Sequence, residues 1–221
     1  MTILNIDTAI DKGSFCIVKE NNILVFEEAD NRTQLAGWLH KAIDIAIKKA
    51  GLSPGDLDAV AVSNGPGSYT GLRISLATAK GLCYALGIPL ICVNTLQVMA
   101  QAVAAEAADL ISPMIDARRM EVFTALYAQD IMIKQEAFAL ILDSGSFADI
   151  LKNREILFTG NGSGKFRKII DGNINARFIE KQVDARDMRT ISTQKYIEKS
   201  FSDVAYCEPY YVKDVYINKK V

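Results

Sequence analysis

Asn64-Gly65-Pro66-Gly67-Ser68-Tyr69-Thr70-Gly71-Leu72-Arg73 joins two differently patterned stretches. Before it, residues 57–62 (Leu-Asp-Ala-Val-Ala-Val) are small, apolar and β-branched, as a buried strand requires. After it, Leu72, Leu76, Ala79, Cys83 and Leu86 recur at helical spacing until Gly87 and Pro89 stop them. The decamer is therefore a strand-to-helix turn. Its glycines allow positive φ or close backbone approach, and Pro66 fixes its own φ. Ser68 or Thr70 can cap the helix. Free amides at such a helix start can hold an anion. The bland alternative is a tight turn without a ligand, and the spacing of Gly65, Gly67 and Gly71 does not complete G-x-G-x-x-G.

Working upstream, residues 2–7, 13–19 and 23–28 read as three strands in a meander, with Asn21-Asn22 as a turn. Asn31 reads as an N-cap with Gln34 completing a capping box, and Leu35, Leu39, Ile43 and Ala46 form a helical stripe closed by Gly51. Downstream, residues 90–93 are a short strand, and Asn94 or Thr95 caps an Ala-rich helix to about 106. The order is βββαβαβα. The second half opens with three more strands (111–115, 120–128, 132–139). A short helix over 144–151, a strand over 155–159, and helices within 165–170 and 187–200 follow. Repetition of this order predicts an α/β chain of two lobes, 1–106 and 107–221, hinged near 107–112. Each lobe is a ribonuclease-H-like mixed sheet, as in the actin-like ATPase architecture shared by sugar kinases, Hsp70 and actin. Fold alone does not give function.

The composition narrows the chemistry. With 25 basic and 26 acidic side chains in 221 residues, the chain makes no strong electrostatic claim on a polyanion. Cys16, Cys83, Cys92 and Cys207 include no C-x-x-C pair. Most lie in apolar runs, where cysteine behaves as a small buried hydrophobe. With no leader and no run of ~18–20 apolar residues, this reads as a reduced, cytoplasmic, non-membrane protein. The single histidine, His40, excludes paired-histidine zinc sites and reads as a surface or boundary side chain. Gly160-Asn161-Gly162-Ser163-Gly164-Lys165-Phe166 invites a phosphate-loop reading that fails. Position 159 is Thr, and Phe166 has no hydroxyl for magnesium. A mobile loop near the cleft is the better expectation.

The decamer, continued through Ile74 and Ala77-Thr78-Ala79-Lys80-Gly81-Leu82, closely resembles the signature of the TsaB (YeaZ) family, with Tyr69 at its aromatic place and Ser75 where glycine is usual. Ile6-Asp7-Thr8, Asp116-Ala117-Arg118-Arg119-Met120-Glu121-Val122-Phe123 and Pro209-Tyr210-Tyr211-Val212-Lys213 resemble further family motifs, so the likeness spans the chain. The resemblance implies a non-enzymatic scaffold or dimerisation subunit of the machinery that transfers threonylcarbamoyl to an adenosine of tRNA. It implies pairing with the catalytic TsaD, recruitment of the ATPase TsaE, homodimers when the chain is alone, and tRNA contact only through the complex. TsaD-type metal sites use an H-x-x-x-H pair that the first helix lacks.

The family pairs through its first two helices. The interface candidates here are Trp38, Ala42, Ile45, Tyr69, Arg73 and Lys80; Trp38 reads equally well as a cover on the core edge. Asp7, Thr8, Ser68 and Asp116 are the candidates for contacting a cofactor. No intrinsic cofactor or metal is expected, and weak nucleotide binding is left open only at a shared interface. Arg118, Arg119 and Glu121 are expected in the cleft. The arginines can contact phosphate or pair with Glu121 or a partner's carboxylates, and the structural or interface role is favoured. The competing readings are an ATP-binding small-molecule kinase and, behind it, a glycopeptidase.

Overall fold

The computed structural model describes residues 1–10, 12–30, 34–106, 108–170 and 172–213. Two five-stranded mixed sheets carry the chain. In the first, β1 (Thr2–Asp7), β2 (Ser14–Lys19) and β3 (Asn22–Glu28) form the antiparallel meander. Asn21 turns it at φ 65°. β4 (Ala59–Gly65) and β5 (Leu90–Asn94) then add in parallel, in the order β3-β2-β1-β4-β5. The helices are α1 (Leu35–Lys49), α2 (Tyr69–Leu86) and α3 (Thr95–Ala102). The expected cap at Asn31 lies outside the described residues. Ser68 caps α2, its Oγ accepting from the Gly71 amide, and Asn94 caps α3. Gly87 closes α2 in the left-handed region at φ 67°.

The second sheet repeats the plan. β6 (Leu110–Asp116), β7 (Glu121–Ala128) and β8 (Ile133–Ile141) form its meander, and β9 (Ile156–Thr159) lies parallel to β6. A strand the sequence reading did not contain, β10 (Ala176–Ile179), completes the order β10-β9-β6-β7-β8. The helices here are short: α4 (Ala148–Leu151), α5 (Ser163–Arg167) and α6 (Arg189–Ile197). The expected helix over 187–200 opens instead as a 3₁₀ turn, Ala185–Met188, because Asp184 and Asp187 form a capping box one turn earlier.

The burial pattern follows from these periods. Leu39, Ile43 and Ala46 of α1 and Leu76, Ala79 and Cys83 of α2 pack on Leu4, Ile6, Phe15 and Ile17 of the first sheet. On that sheet's other face, Val98 of α3, Met188 and Ile191 cover Ile3, Ala59 and Ile91. Leu96, Met99 and Val103 turn the opposite way, onto Ile111, Ile115 and Tyr127 of the second sheet. α3 is thus a layer shared by both sheets, and α6 returns the chain to the first. Among the described residues no helix is long and apolar enough to cross a membrane.

Candidate functional site

The decamer packs tightly against the end of β1. A Cβ on Gly67 would stand 2.4 Å from the Ala9 carbonyl oxygen, and one on Gly71 would stand 2.1 Å from that of Thr8. At Gly65 (φ 124°) it would stand 2.2 Å from the carbonyl oxygen of Tyr210. These contacts, more than any ligand, account for the glycines. The polar groups are satisfied within the corner. The Ser68 amide donates to the Ala9 carbonyl at 2.7 Å. Thr8 Oγ1 donates to the Gly71 carbonyl at 2.7 Å, and the Gly71 amide donates to Ser68 Oγ at 3.3 Å. The Ala9 amide donates to Asp7 Oδ1 at 2.9 Å. Asp7 is buried, and burial pushes its carboxyl up to about 6, against the hydrogen bonds from Ala9 and Ser63; the charges of Asp184 and Asp187 add to the rise.

The corresponding corner of the second sheet is open. Ser68, Tyr69, Asp116, Arg118, Phe123 and Asn161 line a cleft of about 460 Å³ between the two corners. The Asp116 amide donates to Asn161 Oδ1 at 2.9 Å. Asp116 Oδ1 accepts from the Arg118 amide at 2.6 Å and from the Lys165 ammonium. Burial would raise this carboxyl, but Lys165 and Arg118 together hold it below its ordinary value. Arg118, Arg119 and Met120 are all left-handed, at φ 68°, 44° and 60°. That unusual run is held by the Glu121 amide donating to the Arg118 carbonyl and the Ala117 amide donating to the Glu121 carbonyl. Glu121 takes its ion pair from Lys213, so the C-terminal segment ties onto the second sheet here.

Of the four residues expected to meet a cofactor, Ser68 and Asp116 line this cleft, while Asp7 and Thr8 are enclosed behind the first corner. Arg118 lines the cleft too. The Gly160 stretch, expected near the cleft, supplies two side chains of the site. Lys165 is the partner of Asp116, and Asn161 caps the end of β6. The signal was the Asn and Lys carried by that Gly-rich stretch.

A second depression, about 530 Å³, runs along the outer faces of α1 and α2. Ala36, His40, Tyr69, Arg73, Ala77 and Thr78 line it. His40 Nε2 lies 3.4 Å from Thr78 Oγ1 across the groove. Arg73 donates to the Tyr69 hydroxyl and lies over its ring, and Tyr211 stacks on Tyr69 at 5.5 Å between centroids. The interface candidates therefore separate. Tyr69 and Arg73 shape the groove, and Ile45 is 63% exposed on α1. Trp38 and Ala42 are half-buried against the core, Trp38 on Phe15 at 5.6 Å. Lys80 donates to the carbonyls of Ala205 and Cys207 at 3.0 and 3.1 Å, fastening the C-terminal segment. The small, exposed Ala36 and Ala77 on the outer faces of the two helices let another helix approach closely, the geometry of helix-in-groove docking.

Comparison with known proteins gives these corners a lineage. The family model described as TsaD: tRNA N6-adenosine threonylcarbamoyltransferase matches residues 31–215. The tRNA threonylcarbamoyladenosine biosynthesis protein TsaB of Bacillus subtilis (strain 168) is 30% identical over 174 residues, 77% of this chain and 76% of that protein. The protein of the same description from Escherichia coli (strain K12) is 37% identical over 131 residues, 59% of this chain and 56% of its own length. A Pseudomonas aeruginosa crystal structure, described as an uncharacterized protein with similarity to peptidase YEAZ, superposes with a TM-score of 0.81. At 22% identity it covers 96% of this chain and 99% of its own, and that likeness bears on the fold. Signature, fold and relatives agree, and the chain belongs to the TsaB (YeaZ) family.

Proposed function

We propose that the chain is a non-catalytic scaffold in threonylcarbamoyladenosine biosynthesis on tRNA, pairing with TsaD through α1 and α2 and recruiting TsaE to the pair. Family membership supports involvement in that biosynthesis. The observation that carries the finer reading is the α1–α2 groove: two long helices, side by side, present Ala36, Ala77 and Thr78 with Tyr69 and Arg73 at one end. A partner helix seated there excludes water from alanine faces that the chain's own core does not use. The same surface accounts for a homodimer when TsaD is absent. The cleft and the C-terminal segment are the surfaces left for TsaE. Near-zero net charge fits a subunit whose tRNA contacts are made by its partners.

The enclosed first corner supports the non-catalytic role. Asp7, at the end of β1, is buried and bonded to the Ala9 amide rather than presented to the cleft. Gel filtration of the purified chain mixed with its cognate TsaD is the deciding experiment, with comigration expected and no synthesis of threonylcarbamoyladenosine by the chain alone. Ala77→Arg places a long cation in the groove at an exposed position. It should abolish comigration while leaving thermal unfolding unchanged. Separate elution of the wild-type proteins would overturn the pairing, and unimpaired pairing of Ala77→Arg would overturn its placement.

A further inference from the structure

Beyond α6, the chain crosses the molecule as a strap that has few backbone bonds of its own. The Ser202 amide donates to the Leu90 carbonyl at 2.8 Å, and Ser202 Oγ accepts from the Cys92 amide at 3.3 Å. Asp203 Oδ1 turns the strap by accepting from the amides of Ala205 and Tyr206. The Tyr210 amide donates to the Asn64 carbonyl at 2.7 Å, Tyr211 stacks on Tyr69, and Lys213 reaches Glu121. The strap thus runs from the edge of the first sheet, past the decamer, to the second sheet. Midway along it, the Cys207 sulfur lies 2.8 Å from that of Cys92 on β5.

We propose that Cys92 and Cys207 are a redox-responsive pair whose reversible disulfide latches the C-terminal strap to the first sheet. The two sulfurs already stand within about an ångström of the ~2.05 Å bond length, so closure needs little backbone movement. Both residues are half-buried, within reach of a small oxidant. Their roles differ. The hydrogen bond from Cys92, and then the nearby Lys80 ammonium, lower the Cys207 thiol to about 7, whereas the same bond and burial raise that of Cys92. The Lys80 ammonium, held on the Cys207 carbonyl at 3.1 Å, favours a thiolate at Cys207, which makes it the nucleophile and Cys92 the resolving thiol.

With a hydroperoxide as oxidant, the Cys207 thiolate attacks the terminal peroxide oxygen. The O–O bond breaks, and Cys207 becomes a sulfenic acid as hydroxide leaves and is protonated to water (with an organic hydroperoxide, an alkoxide leaves and is protonated to the alcohol). The Cys92 sulfur then displaces the sulfenic oxygen as a second water, its own proton completing that water. Two thiols have been oxidised by two electrons to one disulfide, and one peroxide has been reduced. A dithiol reductant reverses the state by thiol–disulfide exchange. Four residues beyond Cys207, Tyr211 rests on Tyr69, so the latch acts on the residue where cleft and groove meet.

The experiment treats the full-length folded chain with hydrogen peroxide, maps the peptides by mass spectrometry, and measures amide hydrogen exchange. A linked Cys92–Cys207 peptide is expected, faster to form as pH rises through about 7. It should be absent from Cys207→Ser and from Cys92→Ser and should disappear with dithiothreitol. Exchange over 203–211 should slow about tenfold in the oxidised protein alone. Two thiols that stay separately alkylatable, a Cys207 that proceeds to sulfinic acid without a link, or a link that leaves strap exchange unchanged would each overturn the proposal.

Discussion

Each sheet ends its first strand in an aspartate, and in each the loop after the fourth strand folds back onto that end. In the first sheet Ser68 and Gly71 close upon Thr8 and Ala9; in the second, the Gly162 amide donates to the Met114 carbonyl at 2.9 Å and Asn161 meets Asp116. The plan is the same, but the outcomes are opposite. The first corner is sealed, with a buried aspartate behind an 18-residue helix. The second is open, with a solvated, ion-paired aspartate behind a helix of five residues. What differs is where each half invests its helical surface. The first half presents a long two-helix face outward and closes its corner, which suits a docking platform; the second keeps short helices and leaves its polar groups at the cleft.

The contrast can be broken most severely at Gly71. Its Cβ position is bounded by the Thr8 carbonyl, which is backbone and cannot swing aside. Gly71→Ala should therefore cost about 3 kcal/mol in denaturant unfolding, at the upper end of overpacking effects. A loss below about 1 kcal/mol would mean that the first corner is looser than its hydrogen bonds imply.

The aspartates give the next effect, and its sign differs between them. A carboxyl raised to about 6 in the folded state binds its proton more tightly there than in the unfolded chain. Its contribution to stability thus falls as pH rises from about 4 to 6 and is flat above. At pH 8 the buried charge costs on the order of 3 kcal/mol. Asp7→Asn keeps an oxygen for the Ala9 amide and removes the charge. It should be more stable than wild type at pH 8, with the difference closing near pH 4. Parallel pH–stability curves for the two proteins would show that Asp7 is not the buried acid of the fold.

How far these features could be read in advance depends on range. Ser68 as a cap, the Asn21 turn and the α1 and α2 stripes are encoded within a few residues, and they appear where the sequence put them. β10 does not announce itself: four half-buried residues at a sheet edge, Ala176 to Ile179, carry no alternation strong enough to read. The site shows the same limit. Asp7 and Asp116 look alike in sequence, each closing an apolar strand, and only contacts 63 and 49 residues away, Thr8 to Gly71 and Asp116 to Lys165, make one corner shut and the other open. Trp38 was ambiguous because a helix face is defined by what packs on it, and Phe15 lies on another strand.

A smaller effect is expected at Asp116. Its carboxyl sits below the ordinary value, so its stabilisation is present at neutral pH and is lost as pH falls through that lowered value. The side chain is 37% exposed, so solvent screens the Lys165 pair and Asp116→Asn should cost less than about 1 kcal/mol. Molar salt should erase most of the difference, because exposed pairs are screened while buried groups are not. A loss as large as that at Gly71 would make the second corner as closed as the first.

The smallest effect should also have the opposite sign. Gly164 lies in the first turn of α5, and a Cβ there would meet nothing within 4 Å. Alanine removes backbone freedom from the unfolded chain without adding a clash, so Gly164→Ala should stabilise by about 0.5 kcal/mol. The pair Gly71→Ala and Gly164→Ala then measures the contrast directly by denaturant unfolding. The same substitution in the first turn of a helix after the fourth strand destabilises one half and slightly stabilises the other. Equal losses at both sites would mean that the start of α5 packs as tightly as the start of α2; the loop before α5 is already close to β6 at Gly160 and Gly162, so the contrast between the corners rests on the helix starts.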